Sequence, residues 1–221
     1  MARFGIESTT ALGVSVPALR KLAREIGRDH ELAAKLWSSG LHEARTLAAL
    51  VDDPALVTEA QMEAWALALD SWDVCDACCS NLFDRTPFAF AKALAWSRRD
   101  EEFVKRAGFT LMATLAVHDK GAGDARFERF FPRIRAEAKD PRNFVKKAVN
   151  WALRQIGKRN AALHARAIAE AQIIAAMDAP SARWIATNAL RELTSDAVRG
   201  RIESKRKKMQ QEGAKARRSL A

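Results

Sequence analysis

Apolar positions recur along most of the chain at steps of three and four residues, the spacing that gathers side chains on one face of an α-helix. Leu19, Leu22, Ala23 and Ile26 follow Pro17 in this way, with the proline in a tolerated first turn and Gly27 closing the run. The same pattern predicts helices near 29–39, 41–51, 55–69, 72–84, 87–97, 100–117, 124–139, 143–158, 161–177, 181–194 and 196–210. The breaks fall at Gly40, Asp53-Pro54, Pro87, Gly121-Ala122-Gly123, Asp140-Pro141 and Asp178-Ala179-Pro180, each bearing Gly or Pro. Sustained period-two alternation is missing, the chain has no Tyr, and β-branched runs are few, so strands are not expected.

Short joins and the lack of a long linker predict one folded body over residues 1–198, followed by a basic C-terminal helix or tail over 199–221. An internal repeat refines this. Phe103-Val104-Lys105-Arg106-Ala107 recurs as Phe144-Val145-Lys146-Lys147-Ala148, displaced by 41 residues. Ala152-Leu153-Arg154 recurs as Ala189-Leu190-Arg191, displaced by 37. Displacements near 40 in helical sequence are the period of HEAT-type helix pairs. The expected fold class is therefore all-α: an α-solenoid of paired antiparallel helices, whose second helices line a concave basic groove.

Composition agrees with a self-sufficient core: 221 residues with 48% apolar need no disulfide or metal staples. No run approaches the ~20 apolar residues of a membrane span. Glu7 and Ser8-Thr9-Thr10 interrupt any secretory apolar stretch. Cys75, Cys78 and Cys79 are an odd, clustered set, better read as small buried thiols of a cytoplasmic protein than as a disulfide framework. They lack the fourth ligand a zinc site usually wants, and His30, His42, His118 and His164 are scattered without ligand spacing, so no metal or cofactor is expected.

Charge changes the picture only when divided along the chain. The formal net charge is +10, but residues 1–102 carry 11 basic and 16 acidic residues, a net of −5. Residues 103–160 carry 14 against 5, a net of +9, and the tail 199–221 carries 9 against 2. A basic zone on ordered helices is the footprint of a polyanion partner. Lys205-Arg206-Lys207-Lys208 in the tail reads either as a phosphate contact or as a solvated terminal helix.

Candidate chemistry lies on either side of residue 100. Trp72 and Asp76 are four apart and share a helix face. Asp73 favours the positive end of that helix, and Ser71 or Asp70 can cap it. A later helix carries Lys147, Trp151, Arg154 and Lys158 at steps of four, three and four, a basic stripe with an aromatic inside it. Arg106 holds the repeat position of Lys147, which predicts a groove lined by Trp72, Asp76, Arg106 and Trp151. Trp37, Trp65, Trp96 and Trp184 read as core or inter-helix wedges.

These residues resemble the AlkD-like DNA alkylation repair family, the HEAT-like-repeat alkylpurine DNA glycosylases. The resemblance runs from Gly13-Val14, Pro17 and Leu19-Arg20 to Ala182-Arg183-Trp184 and Leu190. It is most specific at Trp72-Asp73-Val74-Cys75-Asp76, the Arg106 block, and Lys146-Lys147-Ala148 with Trp151-Ala152-Leu153-Arg154. It implies that Trp72 and Trp151 are aromatic contacts to the damaged nucleotide, Asp76 the catalytic acid and Arg106 a DNA-binding arginine. Lys147, Arg154 and Lys158 join it as basic DNA contacts. Family members often carry two adjacent tryptophans before this aspartate; here the first is Ser71.

A single carboxylate suits this chemistry. Ordinary glycoside hydrolysis needs a second carboxyl group as general acid. A purine alkylated at N3 or N7 is already cationic and departs neutral, which leaves only the oxocarbenium-like sugar to stabilise. The expected function is thus a monofunctional DNA glycosylase excising cationic N3- and N7-alkylpurines, which the family resemblance implies it does without a deep base-flipping pocket. The expected partner is duplex DNA with alkylated purines, bound by a monomer with no membrane and no obligate protein partner. The alternatives are a non-catalytic HEAT-like solenoid that binds damaged or unusually shaped nucleic acid, to which Ser71 points, and a protein-interaction solenoid.

Overall fold

Short polar caps and prolines set the helix boundaries. The structure, a computed structural model, describes residues 10–218, without the side chains of 208–210 and 212–218. The polar stretch from Glu7 to Thr9 and the side chain of Lys208 lie outside the described residues. Helix α1 (Val16–Ile26) begins with Pro17 in its first turn and stops at Gly27, whose φ of +78° is open to glycine but strained for other residues. Asp29 starts α2 (His30–Ser38) by accepting from the Leu32 N–H at 2.9 Å. After α3 (His42–Val51), Thr58 accepts from Gln61 N–H at 3.1 Å to start α4 (Glu59–Leu67). α5 (Trp72–Asn81), a single 3-10 turn (Phe83–Arg85), α6 (Ala89–Trp96) and α7 (Glu102–His118) follow.

The single helix expected over 124–139 is two short ones, α8 (Asp124–Glu128) and α9 (Phe131–Glu137). Pro132 explains the break: it lacks the N–H that a continuous helix would use and is tolerated only in the first turn of the second piece. The chain then runs through α10 (Asn143–Gly157), α11 (Ala161–Ala175), α12 (Pro180–Leu193) and α13 (Asp196–Arg218). Among the described residues there is no strand, and no helix is long and apolar enough to cross a membrane.

The chain divides into two compact units, 1–115 and 116–221. In the first, α2 packs on α3 across a three-residue join, and α3 also packs on α1 and α5. An aromatic row runs through its core. Trp37 and Trp65 stack with centroids 4.1 Å apart and planes within 3°, while Phe83 lies 6.2 Å from Trp65 and 5.9 Å from Trp96. These three tryptophans are buried, as expected of wedges. In the second unit α10, α11 and α12 pack on one another, α11 also meets α8 and α9, and Phe127 meets Phe130 edge-on at 6.1 Å.

The sequence repeat has a structural counterpart. The two Phe-Val-basic-basic-Ala motifs occupy the same early positions of α7 and α10, with Val104 and Ala107, Val145 and Ala148 buried. Ala152-Leu153-Arg154 and Ala189-Leu190-Arg191 take matching positions in α10 and α12.

Gly108 lets α7 come close to the end of α6. A Cβ there would lie 2.5 Å from the Ser97 nitrogen and 2.9 Å from the Trp96 carbonyl carbon, both backbone atoms that cannot swing aside. Gly108→Ala is expected to destabilise the protein by about 1–3 kcal/mol, the usual cost of overpacking, despite alanine's better helix propensity. Chemical denaturation checks this; an unchanged midpoint would show that α7 can move away at no cost.

Candidate functional site

Trp72 opens α5 and Asp76 follows one turn later, so both project from one side of that helix. Two thiols hold α5 against α7: Cys75 Sγ lies 3.7 Å from the Phe103 carbonyl oxygen and Cys79 Sγ 3.6 Å from that of Ala107. All three cysteines are free and fully buried, and burial pushes the Cys78 and Cys79 thiols well above their ordinary range. They act as packing groups, not nucleophiles. This docking brings Arg106 of α7 to face Asp76.

The contact is a two-pronged fork. Arg106 Nε donates to Asp76 Oδ1 at 3.1 Å and Nη2 donates to Oδ2 at 2.8 Å. Thr110, four residues beyond Arg106, donates its hydroxyl to Oδ1 at 3.2 Å. The Arg106 guanidinium also lies 5.9 Å from the centre of the Trp72 ring, a cation–π distance. Trp72, Arg106 and Asp76 therefore form one cluster, with Arg106 only 5% exposed and Asp76 and Trp72 half-buried.

Among the described residues Asp76 Oδ2 has one donor, where a carboxylate oxygen accepts two. That spare lone pair can receive a water or oppose a positive charge. Burial raises the Asp76 pKa, while the charge and fork of Arg106 and the Thr110 hydroxyl pull the other way; burial prevails. Burial likewise works against the charge on Arg106, but Asp76 more than offsets it and pushes that pKa up.

The neighbours of this cluster are structural. His42 Nε2 lies 2.8 Å from Asp73 Oδ2, and Asp73 Oδ1 accepts from the Val74 N–H at 3.0 Å. Neither expected cap forms at α5. The Ser71 hydroxyl is buried with no hydrogen-bond partner among the described residues, although Ser71 stands in the cap position, and Asp70 pairs instead with Arg45 at 3.1 Å.

The second candidate set stands on α10 in the other unit. Lys147 is exposed and Trp151 half-buried. Arg154 and Lys158 both pair with Glu192 at the end of α12, Lys158 Nζ at 2.5 Å from Oε1 and Arg154 Nη1 on Oε2. Burial opposes the charge on Glu192, yet the two cations lower its pKa. The stripe thus has three cations against one carboxylate that its own helix does not carry. Trp184, expected as a wedge, is half-buried on α12 with Lys146 Nζ 4.8 Å from its ring centre.

Glu192 is expected to restrain this surface. Glu192→Gln removes the counter-charge from Arg154 and Lys158, so duplex DNA should bind more tightly and with a steeper salt dependence, by up to ~1 unit in the slope of log K against log salt. Fluorescence anisotropy over a salt series measures it; a shallower slope would mean that Glu192 positions the cations for DNA.

Among the described residues, no grouping of three or more His, Cys, Asp or Glu side chains could hold a metal ion. Sequence reasoning missed Thr110 and Glu192. Thr110 had a signal, since a residue four beyond Arg106 shares its helix face. Glu192 had none, because its pairing depends on how α12 packs on α10.

A family model described as DNA alkylation repair enzyme matches residues 1–193. No curated protein matches the chain. Among solved structures, one described as a new family of proteins related to the HEAT-like repeat DNA glycosylases with affinity for branched DNA structures matches with a TM-score of 0.73. It is 18% identical, over 91% of this chain and 87% of that one, a likeness of fold. A designed armadillo repeat protein in complex with a (KR)4 peptide gives a TM-score of 0.40 at 15% identity, over 85% of this chain and 80% of that one.

Proposed function

The chain belongs to the DNA alkylation repair enzyme family, and from that premise we propose that it is a monofunctional DNA glycosylase that excises cationic N3- and N7-alkylated purines from duplex DNA. The observation that carries this reading is the Asp76 carboxylate, held by Arg106 and Thr110 with Oδ2 taking one donor among the described residues, while the same Arg106 lies over the Trp72 ring.

A cationic purine needs no proton to leave, so the enzyme's task is to stabilise the positive charge that develops on the sugar. A carboxylate that must reorient would lose part of that stabilisation; one already aligned in the ground state does not. Arg106 and Thr110 supply this alignment. Oδ2 faces the developing charge and orients the attacking water, while Trp72 offers its ring to the cationic nucleotide. Arg106 is a positioning residue in this scheme, and a phosphate contact by its small exposed remainder is a separate part of the proposal. Trp151 supplies the second aromatic contact, and Lys147, Arg154 and Lys158 hold the phosphate backbone. The protein binds as a monomer, in the cytoplasm, and handles the lesion without a deep pocket for a flipped base.

The competing reading is a non-catalytic binder of damaged or unusually shaped DNA; a protein of similar fold is described as having affinity for branched DNA structures. Ser71, where the family often has tryptophan, is the residue that favours it. The two readings separate on duplexes carrying either cationic 7-methylguanine or neutral O6-methylguanine. The glycosylase frees 7-methylguanine and leaves the neutral base in place, because that base lacks a proton donor for its departure. Tight binding of both duplexes with no free base would overturn the enzyme reading.

A further inference from the structure

A second basic centre lies entirely within the unit 116–221 and shares one residue, Lys158, with the α10 stripe. The last turn of α7, the loop before α8, the end of α10 and the first turns of α13 enclose an open cavity of about 590 Å³. Lys120, Lys158, Arg159, Arg201 and Lys205 line it, against the single carboxylate of Asp124.

The arrangement is built. Arg159 is anchored through its guanidinium to three backbone oxygens: Ala116 at 3.2 Å, Lys120 at 3.2 Å and Ala122 at 2.6 Å. It also stacks 4.2 Å from the centre of Phe127. Lys205 reaches from α13 to the carbonyls of Lys158 at 2.7 Å and Arg159 at 3.1 Å, which ties α13 to the end of α10. Asp124 accepts from the Asn160 side chain at 2.8 Å. Among the described residues no carboxylate lies within ion-pair distance of Lys120, Arg159, Arg201 or Lys205. Lys120 and Arg201 are exposed and make no side-chain hydrogen bond there.

Four cations without a direct ion pair share one concavity, and Asp124, with Asp119 near Arg159, offsets only part of their charge. Burial and the charges of Lys120, Arg159 and Arg201 pull the Lys205 pKa down, the sign of a net positive field at that ammonium. The carbonyl contacts of Arg159 and Lys205 offset part of the repulsion, and an anion held among the four cations would relieve the rest. A tetrahedral oxyanion suits the donors: one fixed guanidinium charge, one anchored ammonium and two exposed cations at the rim. The site also gives a role to Lys205, the first residue of the basic run that the glycosylase reading left over.

We propose that this cavity is a phosphate-binding site that takes a backbone phosphate of the bound nucleic acid. The identity of the partner rests on the DNA reading above; the site itself does not require base excision.

The test compares the full chain with a Lys120→Gln/Arg201→Gln double variant, binding the same unmodified duplex over a range of salt. Both side chains are exposed and their removal relieves like-charge repulsion, so the melting temperature should not fall. Loss of a phosphate contact should make the slope of log K against log salt shallower by ~1–2 units and weaken binding at low salt, since each contact contributes about 0.9. An unchanged slope and affinity would overturn the proposal while leaving the glycosylase reading intact. A wild-type chain that binds no DNA would overturn both. A parallel titration with inorganic phosphate, followed by NMR of the Arg201 and Lys120 side chains, distinguishes the sources. Saturable phosphate binding together with an unchanged DNA slope would assign the site to a free anion and overturn its nucleic-acid role.

Discussion

Arg106→Ala is expected to lower stability by about 3–5 kcal/mol, the range seen when one partner of a buried ion pair is removed and the other is left behind. Arg106 is 5% exposed and makes both prongs of the fork to Asp76, so no water fully replaces it. The stranded carboxylate would answer by taking up a proton. Removing a neighbouring cation makes the ionised form less favourable, and the Asp76 pKa, already raised by burial, rises further.

That gives a readout which a merely structural arginine would not move. Base release depends on ionised Asp76, so the acid limb of its pH profile lies above the range of an ordinary aspartate in the wild type. In Arg106→Ala it moves to still higher pH. Stability moves oppositely with pH. A carboxyl whose folded pKa is raised contributes stability that is fully present below its unfolded pKa, and this is lost as pH rises through the folded pKa. Arg106→Lys keeps a charge but not the fork, and should restore part of the stability with an intermediate acid limb. A pH profile identical in all three proteins would remove Arg106 from any role in positioning Asp76.

Asp76→Asn should have the largest effect on chemistry. The amide keeps the size of the carboxylate but cannot oppose the charge that develops on the sugar. Loss of one preorganised electrostatic contact commonly costs ~10²–10³ in rate, and base release should fall by at least that factor. Affinity for duplex DNA should change little, because the phosphate contacts reside on other residues. The same substitution also leaves Arg106 without its counter-charge, so its melting temperature must be read beside its activity. A variant that is folded, binds DNA and releases no base separates the catalytic role from the structural one. A variant that retains wild-type release would remove Asp76 from the reaction.

How much of this was legible in the sequence depends on what each feature rests on. The helices were readable because their boundaries rest on local chemistry: Pro17, Gly27, Asp29 and Thr58 act on their own neighbours. The division at Pro132 was local too, and the periodic pattern on both sides concealed it. Trp72 and Asp76 were found together because a spacing of four fixes a common helix face.

The roles of the cations were less readable. Arg106 and Lys147 hold the same position in their repeats, yet one is buried on a carboxylate and the other exposed. The repeat fixes direction along a helix; the packing partner decides between burial and solvent. The same limit concealed Glu192, whose pairing with Arg154 and Lys158 arises only where α12 meets α10. A basic stripe in sequence overstates the positive charge a ligand meets when its counter-ion lies on another helix.

The central claim is that this chain cleaves the glycosidic bond of cationic alkylpurines with Asp76 as its one catalytic carboxylate. The most direct test is single-turnover release of bases from methylated duplex DNA by the wild type, by Asp76→Asn and in buffer alone, with the liberated bases identified by chromatography. The account predicts free 3-methyladenine or 7-methylguanine from the wild type well above the spontaneous rate, and release near that rate from Asp76→Asn. Release by both proteins at the rate in buffer, with DNA binding intact in each, would contradict it.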